Sequence, residues 1–119
     1  MSEAPTGKHE APFRKYDPSL AVEMVPGVSR TMLTVGQGAM VVRIDARRGG
    51  SVPLHTHPHE QIGFLMSGRA SLQVGDEVRE LSPGDGYSIP GGVPHGVPHV
   101  VEDSVFLDIF CPPREEYRQ

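Results

Sequence analysis

Fourteen glycines and twelve prolines are spread through only 119 residues, so a turn-forming residue interrupts the chain every few positions. Helices of ordinary length tolerate neither residue in their interior, where glycine costs about 1 kcal/mol and proline about 3 kcal/mol relative to alanine. Short strands accept both at their ends and in the turns between them. The fold class is therefore expected to be all-β, with strands near 20–25, 29–35, 39–46, 52–57, 61–67, 69–74, 77–82, 86–89, 96–102 and 104–111. Two reversals are especially clear. Ala70, Leu72 and Val74 alternate with Arg69, Ser71 and Gln73, and Gly75-Asp76 then turns the chain into a second half-buried strand. Ser82-Pro83-Gly84-Asp85-Gly86 combines the fixed φ of proline with two permissive glycines. So many strands in so short a chain must hide their edges, by closing the sheets into a barrel or by pairing with another subunit.

The length sets one domain, expected over residues 13–119, after a flexible arm over residues 1–12 that carries Pro5, Gly7 and Pro12. Net charge is -4 with both signs interspersed, which excludes a nucleic-acid footprint and a polybasic membrane patch and leaves a small molecule as the expected partner. No apolar run is long enough to span a bilayer, and Met1 to Glu10 lacks the layout of a secretion signal, so a cytoplasmic protein is expected. Cys111 is the only cysteine, which fits a reducing compartment, and at the end of an apolar run it reads as a packed thiol. After Pro112 and Pro113 a short turn or single helical turn is expected toward Tyr117.

Five of the six histidines fall in two short segments, His55-Thr56-His57-Pro58-His59 and His95-Gly96-Val97-Pro98-His99. Imidazoles at i and i+2 of a strand share a face, so His55 and His57 are suited to grip one ion. Gln61, beyond the turn at Pro58, and the distant His95 complete a coordination set. Adjacent residues on a strand point oppositely, so only one of Glu60 and Gln61 faces the ion, and spacing favours Gln61. His59 follows Pro58 and is read as a residue of the mouth, while His99 is expected to pack or hydrogen-bond beside the site.

The run Val105-Phe106-Leu107-Asp108-Ile109-Phe110-Cys111 is apolar on both faces except at Asp108, so both faces are expected to be buried. A carboxylate in such surroundings costs several kcal/mol unless it is paired or near a cation. Alternation sets Phe106, Asp108 and Phe110 on one face. If that face looks inward, Asp108 is the best candidate for a general acid or base, the alternative being a structural hydrogen bond. Arg114 carries a planar fork suited to a substrate carboxylate, although an exposed arginine beside Glu115 and Glu116 is the ordinary alternative.

These residues together make the chain similar to the cupin family of small metal-binding β-barrels. Its first motif is matched by Gly49, five residues, His55-Thr56-His57, three residues, Gln61, six residues and Gly68; its second by Gly84, five residues, Pro90-Gly91-Gly92, two residues and His95. The resemblance implies a jelly-roll barrel, a homodimer, and one divalent ion (Zn, Ni, Mn or Fe) held by His55, His57, Gln61 and His95. Gln61 stands where the family motif has glutamate and His99 where it has asparagine. A neutral ligand leaves the ion its full charge and favours Lewis-acid chemistry on a carbonyl or hydroxyl over oxygen activation. The tail from Leu107 to Tyr117 resembles that of the cupins that convert 4,5-unsaturated monouronates to linear ketonised sugars in pectin and alginate breakdown. Carried over, that resemblance implies Asp108, Phe110 and Arg114 as residues of substrate binding or proton transfer. Carbonyl-activating polyketide cyclases, dioxygenases and non-catalytic sugar sensors are the rival expectations.

Overall fold

The structure is a computed structural model that describes residues 11–119. Most of the expected N-terminal arm lies outside the described residues; Ala11 and Pro12 are exposed. Eight strands follow: β1 (Val22–Val25), β2 (Val28–Val35), β3 (Met40–Ala46), β4 (Val52–His55), β5 (Glu60–Val74), β6 (Glu77–Leu81), β7 (Gly86–Ile89) and β8 (His95–Cys111). Single 3-10 turns at Pro18–Leu20 and Glu115–Tyr117 are the only helical pieces among the described residues, the second standing where a turn was expected after the prolines. No helix of the described residues is long and apolar enough to cross a membrane.

Two long strands organise the rest. β5 and β8 pair antiparallel from Glu60 opposite Cys111 to Val74 opposite His95, and both bend midway. On one side of the bend β5 pairs with β7 and β8 with β3, which continues through β2 to β1; on the other side β5 pairs with β6 and β8 with β4. One continuous ribbon thus supplies the middle of both halves of a jelly-roll barrel. Val28, Met40, Val42, Leu65, Ala70 and Val100, all without exposed surface, fill the space between them.

This corrects two sequence expectations. The breaks expected at Gly68 and near Asp103 are one corner of the β5/β8 ribbon, not turns. Gly68 has φ +89°, and a Cβ there would lie 2.3 Å from the Asp103 carbonyl oxygen and 2.4 Å from Ser104 Oγ. Ser104 Oγ in turn accepts from the Arg69 amide at 3.1 Å and donates to the Glu102 carbonyl at 2.7 Å, which fixes the corner. Gly68→Ala is expected to destabilise the fold by about 3 kcal/mol through left-handed strain and the backbone clash, read as a lower urea midpoint. Gly38→Ala, with nothing within 4 Å of the new methyl, serves as the neutral control.

The two anticipated reversals form as expected. Gly75 takes φ +59° at the first position of a two-residue turn that sets Val74 opposite Glu77. At Pro83-Gly84, Gly84 takes φ +95° and the Asp85 amide donates to the Ser82 carbonyl at 3.0 Å.

Candidate metal centre

The barrel topology carries three imidazoles to one end of the interior. His55 ends β4 and is the register partner of His95, which begins β8. His57 lies beyond β4, which stops at His55 and not at residue 57 as expected, so His57 enters from a bend. That bend is tied by the Gly92 amide donating to the His57 carbonyl at 2.9 Å. It is also held close by Gly91, where a Cβ would meet the Pro58 carbonyl oxygen at 2.2 Å. The potential ligand atoms of His55, His57 and His95 all lie within 4.8 Å of one another.

The hydrogen bonds around these rings decide which nitrogens are free. Each Nδ1 meets a backbone carbonyl: His55 that of Pro53 at 2.9 Å, His57 that of His59 at 3.0 Å, His95 that of Val93 at 2.9 Å. A carbonyl only accepts, so every Nδ1 carries the proton and every Nε2 presents a lone pair to the same space. His57 Nε2 is 3.1 Å from His95 Nε2 and 3.0 Å from Gln61 Oε1. Lone pairs crowded in this way repel unless a cation stands among them. Burial, reinforced by the Arg114 charge, pushes the His57 pKa down to about 4, and burial lowers that of His95, so both rings are neutral near pH 7. The donor set fits a divalent ion.

Gln61 is buried and Glu60 exposed, which agrees with the parity expectation. Among the described residues, His59 and His99 are not part of the triad. His59 is half-buried at the bend, and its Nδ1 has no partner among the described residues. His99 neither packs nor hydrogen-bonds beside the site: it is exposed, opposite Ser71. A register shift between Ser71 and Gln73 inserts one extra residue into β8 near Pro98 and turns His99 outward.

Asp108 is buried on the inward face of β8 with Phe106 and Phe110, whereas Val105, Leu107 and Ile109 on the outward face are only half-buried, less than expected. Cys111 is a free, half-buried thiol. Asp108, Phe110 and Arg114 line one cavity of about 250 Å³ together with His55, Gln61 and His95. Phe110 stands edge-on to His57, with ring centroids 5.6 Å apart. The Arg114 side chain is only 14% exposed, not the solvated arginine of the alternative reading; its Nε donates to Glu116 at 2.8 Å and its guanidinium stacks 4.0 Å from the Tyr117 ring centroid.

Burial raises the Asp108 pKa to about 6, against the lowering effect of hydrogen bonds from Tyr87 and Gln61 and of the Arg114 charge. A folded-state pKa above the ordinary 3.8 means that the folded protein keeps a proton the unfolded chain has released, so stability falls as pH rises between about 4 and about 6. Asp108→Asn removes that cost. In metal-free protein it is expected to raise stability at pH 7 by on the order of 2 kcal/mol, with the gain shrinking towards pH 4. Thermal melts of both proteins across that range check the sign.

Two further residues of the site escaped the sequence reading. Tyr87 donates its hydroxyl to Asp108 Oδ1 at 2.5 Å, and Tyr117 closes the mouth with its ring 5.6 Å from that of Phe110. A tyrosine on a strand reads as core in isolation; only the inward row shared with Asp108 marks it.

Comparison with known proteins agrees with this architecture. The family model described as a cupin domain matches residues 40–110. The pectin degradation protein KdgF of Dickeya dadantii is 30% identical over 96 residues, which span 80% of this chain and 87% of that protein. The solved structure of KdgF from Halomonas sp. superposes with a TM-score of 0.77 at 30% identity, covering 82% of this chain and 90% of that one. An RmlC-like cupin from Shewanella frigidimarina superposes with a TM-score of 0.84 at 24% identity, over 93% of this chain and 99% of that one, which speaks to the fold. Glycine-cornered barrel, converging imidazoles and matched family model have one meaning: the chain belongs to the cupin family.

Proposed function

We propose that this cupin is a metal-dependent enzyme that moves a proton on a small oxygen-rich carboxylate, such as a 4,5-unsaturated monouronate, and converts it to the linear keto form. The observation that carries this reading is Asp108, a buried carboxyl with its pKa raised to about 6, in the same cavity as His55, His95, Gln61 and Arg114. Similarity to pectin degradation proteins supports the uronate as substrate class.

His55, His57 and His95 through Nε2, with Gln61 through Oε1, would hold one divalent ion (Zn, Ni, Mn or Fe). When bound, that ion supplies Lewis-acid polarisation of a substrate oxygen. Arg114 binds the substrate carboxylate and fixes its orientation. Asp108 accepts the hydroxyl proton released as the ring opens to a carbonyl, and a proton returns to carbon as the enol becomes a ketone. Protons balance and no redox partner is needed. A group that ionises near pH 6 is suited to both transfers. Phe110 packs the His57 ring in place and walls the cavity against water.

A second reading rests on the apolar part of the cavity lining, where Met24, Val25, Ile44, Val52, Leu72 and Val97 offer no polar side chain. A carbonyl substrate with an apolar body, as in a polyketide-cyclase type of reaction, suits that wall better than a second ring of hydroxyls. Parallel assays of metal-loaded protein with unsaturated monouronate and with aromatic polyketone decide between the two. Loss of ultraviolet absorbance from the uronate double bond, with a ketone signal in NMR, supports the first; turnover of the polyketone alone overturns it.

Homodimerisation belongs to the same proposal. Ile62, Phe64 and Met66 alternate along the outward face of β5, each more than a third exposed, and a second copy would cover them. Light scattering is expected to give twice the chain mass; a single-chain mass contradicts it.

A further inference from the structure

Three adjacent strands set Tyr87, Gly63 and Asp108 in one row. Gly63 of β5 is the register partner of Tyr87 on β7 and of Asp108 on β8. All three share the inward parity, with Gln61 and Leu65 on β5, Ile89 on β7 and Phe106 and Phe110 on β8 buried on the same side. Strands two apart in a sheet are separated by about 9–10 Å, beyond the reach of most pairs of side chains. A phenol is long enough to cross, provided that the residue between has no side chain. Gly63 satisfies that condition closely: a Cβ there would lie 2.6 Å from Asp108 Oδ1, 2.9 Å from Tyr87 Oη and 2.2 Å from the Leu107 carbonyl oxygen. Through this gap the Tyr87 hydroxyl reaches Asp108 Oδ1 at 2.5 Å.

We propose that Tyr87 is a positioning residue: reaching across the gap left by Gly63, it locks one oxygen of Asp108 and so fixes the carboxyl beside the cavity. The carboxylate is then oriented before substrate arrives. Side chains that swing cost rate, and a misplacement of about 1 Å can lower turnover by about 100-fold. Both Tyr87 and Asp108 line the cavity, so the lock operates beside the substrate and not in a remote part of the core.

The inference rests on Asp108 acting in turnover, as proposed above. Tyr87→Phe removes the hydroxyl and keeps the ring, so the fold is preserved. It is expected to lower kcat about 10- to 100-fold, with KM changed by less than about 3-fold and bound metal unchanged. In an Asp108→Asn background the same substitution is expected to have no further effect, because the two residues act as one unit. A structural tyrosine moves neither readout: kcat within about 2-fold of the parent, or losses that multiply in the double variant, overturn the proposal. Should the parent protein turn over no uronate, the functional reading fails by itself. The lock is then tested in zinc-loaded protein by the 13C resonance of the Asp108 carboxyl, assigned with Asp108→Asn. Tyr87→Phe is expected to shift and broaden that signal, and an unchanged signal overturns the lock.

Discussion

Replacing Asp108 with asparagine is expected to lower kcat by about 10^2- to 10^4-fold, the range for losing a positioned proton-transfer group, while the protein keeps its metal. The same variant is expected to be the more stable protein at pH 7, because the buried carboxyl of the parent ionises there at a cost. Opposite signs on activity and stability are the mark of a residue held in place for chemistry. A carboxylate that served only to satisfy Tyr87 would give a small change in kcat, because asparagine Oδ1 accepts the same hydrogen bond. Steady-state kinetics and thermal melts on the one pair of proteins separate the two cases.

His57→Ala is the second large effect. It removes the ring whose Nε2 lies within 3.1 Å of both His95 Nε2 and Gln61 Oε1, and it opens the wall against Phe110. Loss of bound metal after dialysis is expected, along with loss of turnover. His99→Ala, at an exposed residue outside the triad, is expected to retain both. Gln61→Ala should fall between them, since even outer partners of metal ligands change affinity by about 10- to 100-fold and a neutral amide is the weakest donor of the set. Elemental analysis of the three dialysed variants gives the order. Equal metal content in His57→Ala and His99→Ala contradicts the assignment of ligands.

The fold was legible because glycine and proline can sit in so few places. Gly75 and Gly84 mark turns that form as expected, each with positive φ. Gly68 looks the same in sequence but serves as a corner inside a continuous strand pair, and nothing local separates a turn from a bulge when the partner strand lies more than thirty residues away. The triad was legible for a chemical reason, since imidazoles at this density have little else to do; parity allowed only one of Glu60 and Gln61 to face it, and spacing chose Gln61, the buried one. The expected packing of His99 beside the site failed, because one residue inserted into β8 turns it outward. Tyr87 and Gly63 were invisible because their roles exist only across strands: the glycine matters through the atom it lacks, and the tyrosine through a partner reached over that gap. Arg114 could be proposed from its planar fork, but its burial against Tyr117 follows from the way the tail folds back over the mouth.

The most direct test is a metal titration of chelator-treated protein with turnover of unsaturated monouronate read at each step. Turnover is predicted to be absent without metal, to rise in proportion to bound ion and to saturate at one ion per chain. Protein carrying one ion per chain that leaves the uronate unchanged would contradict the proposed function.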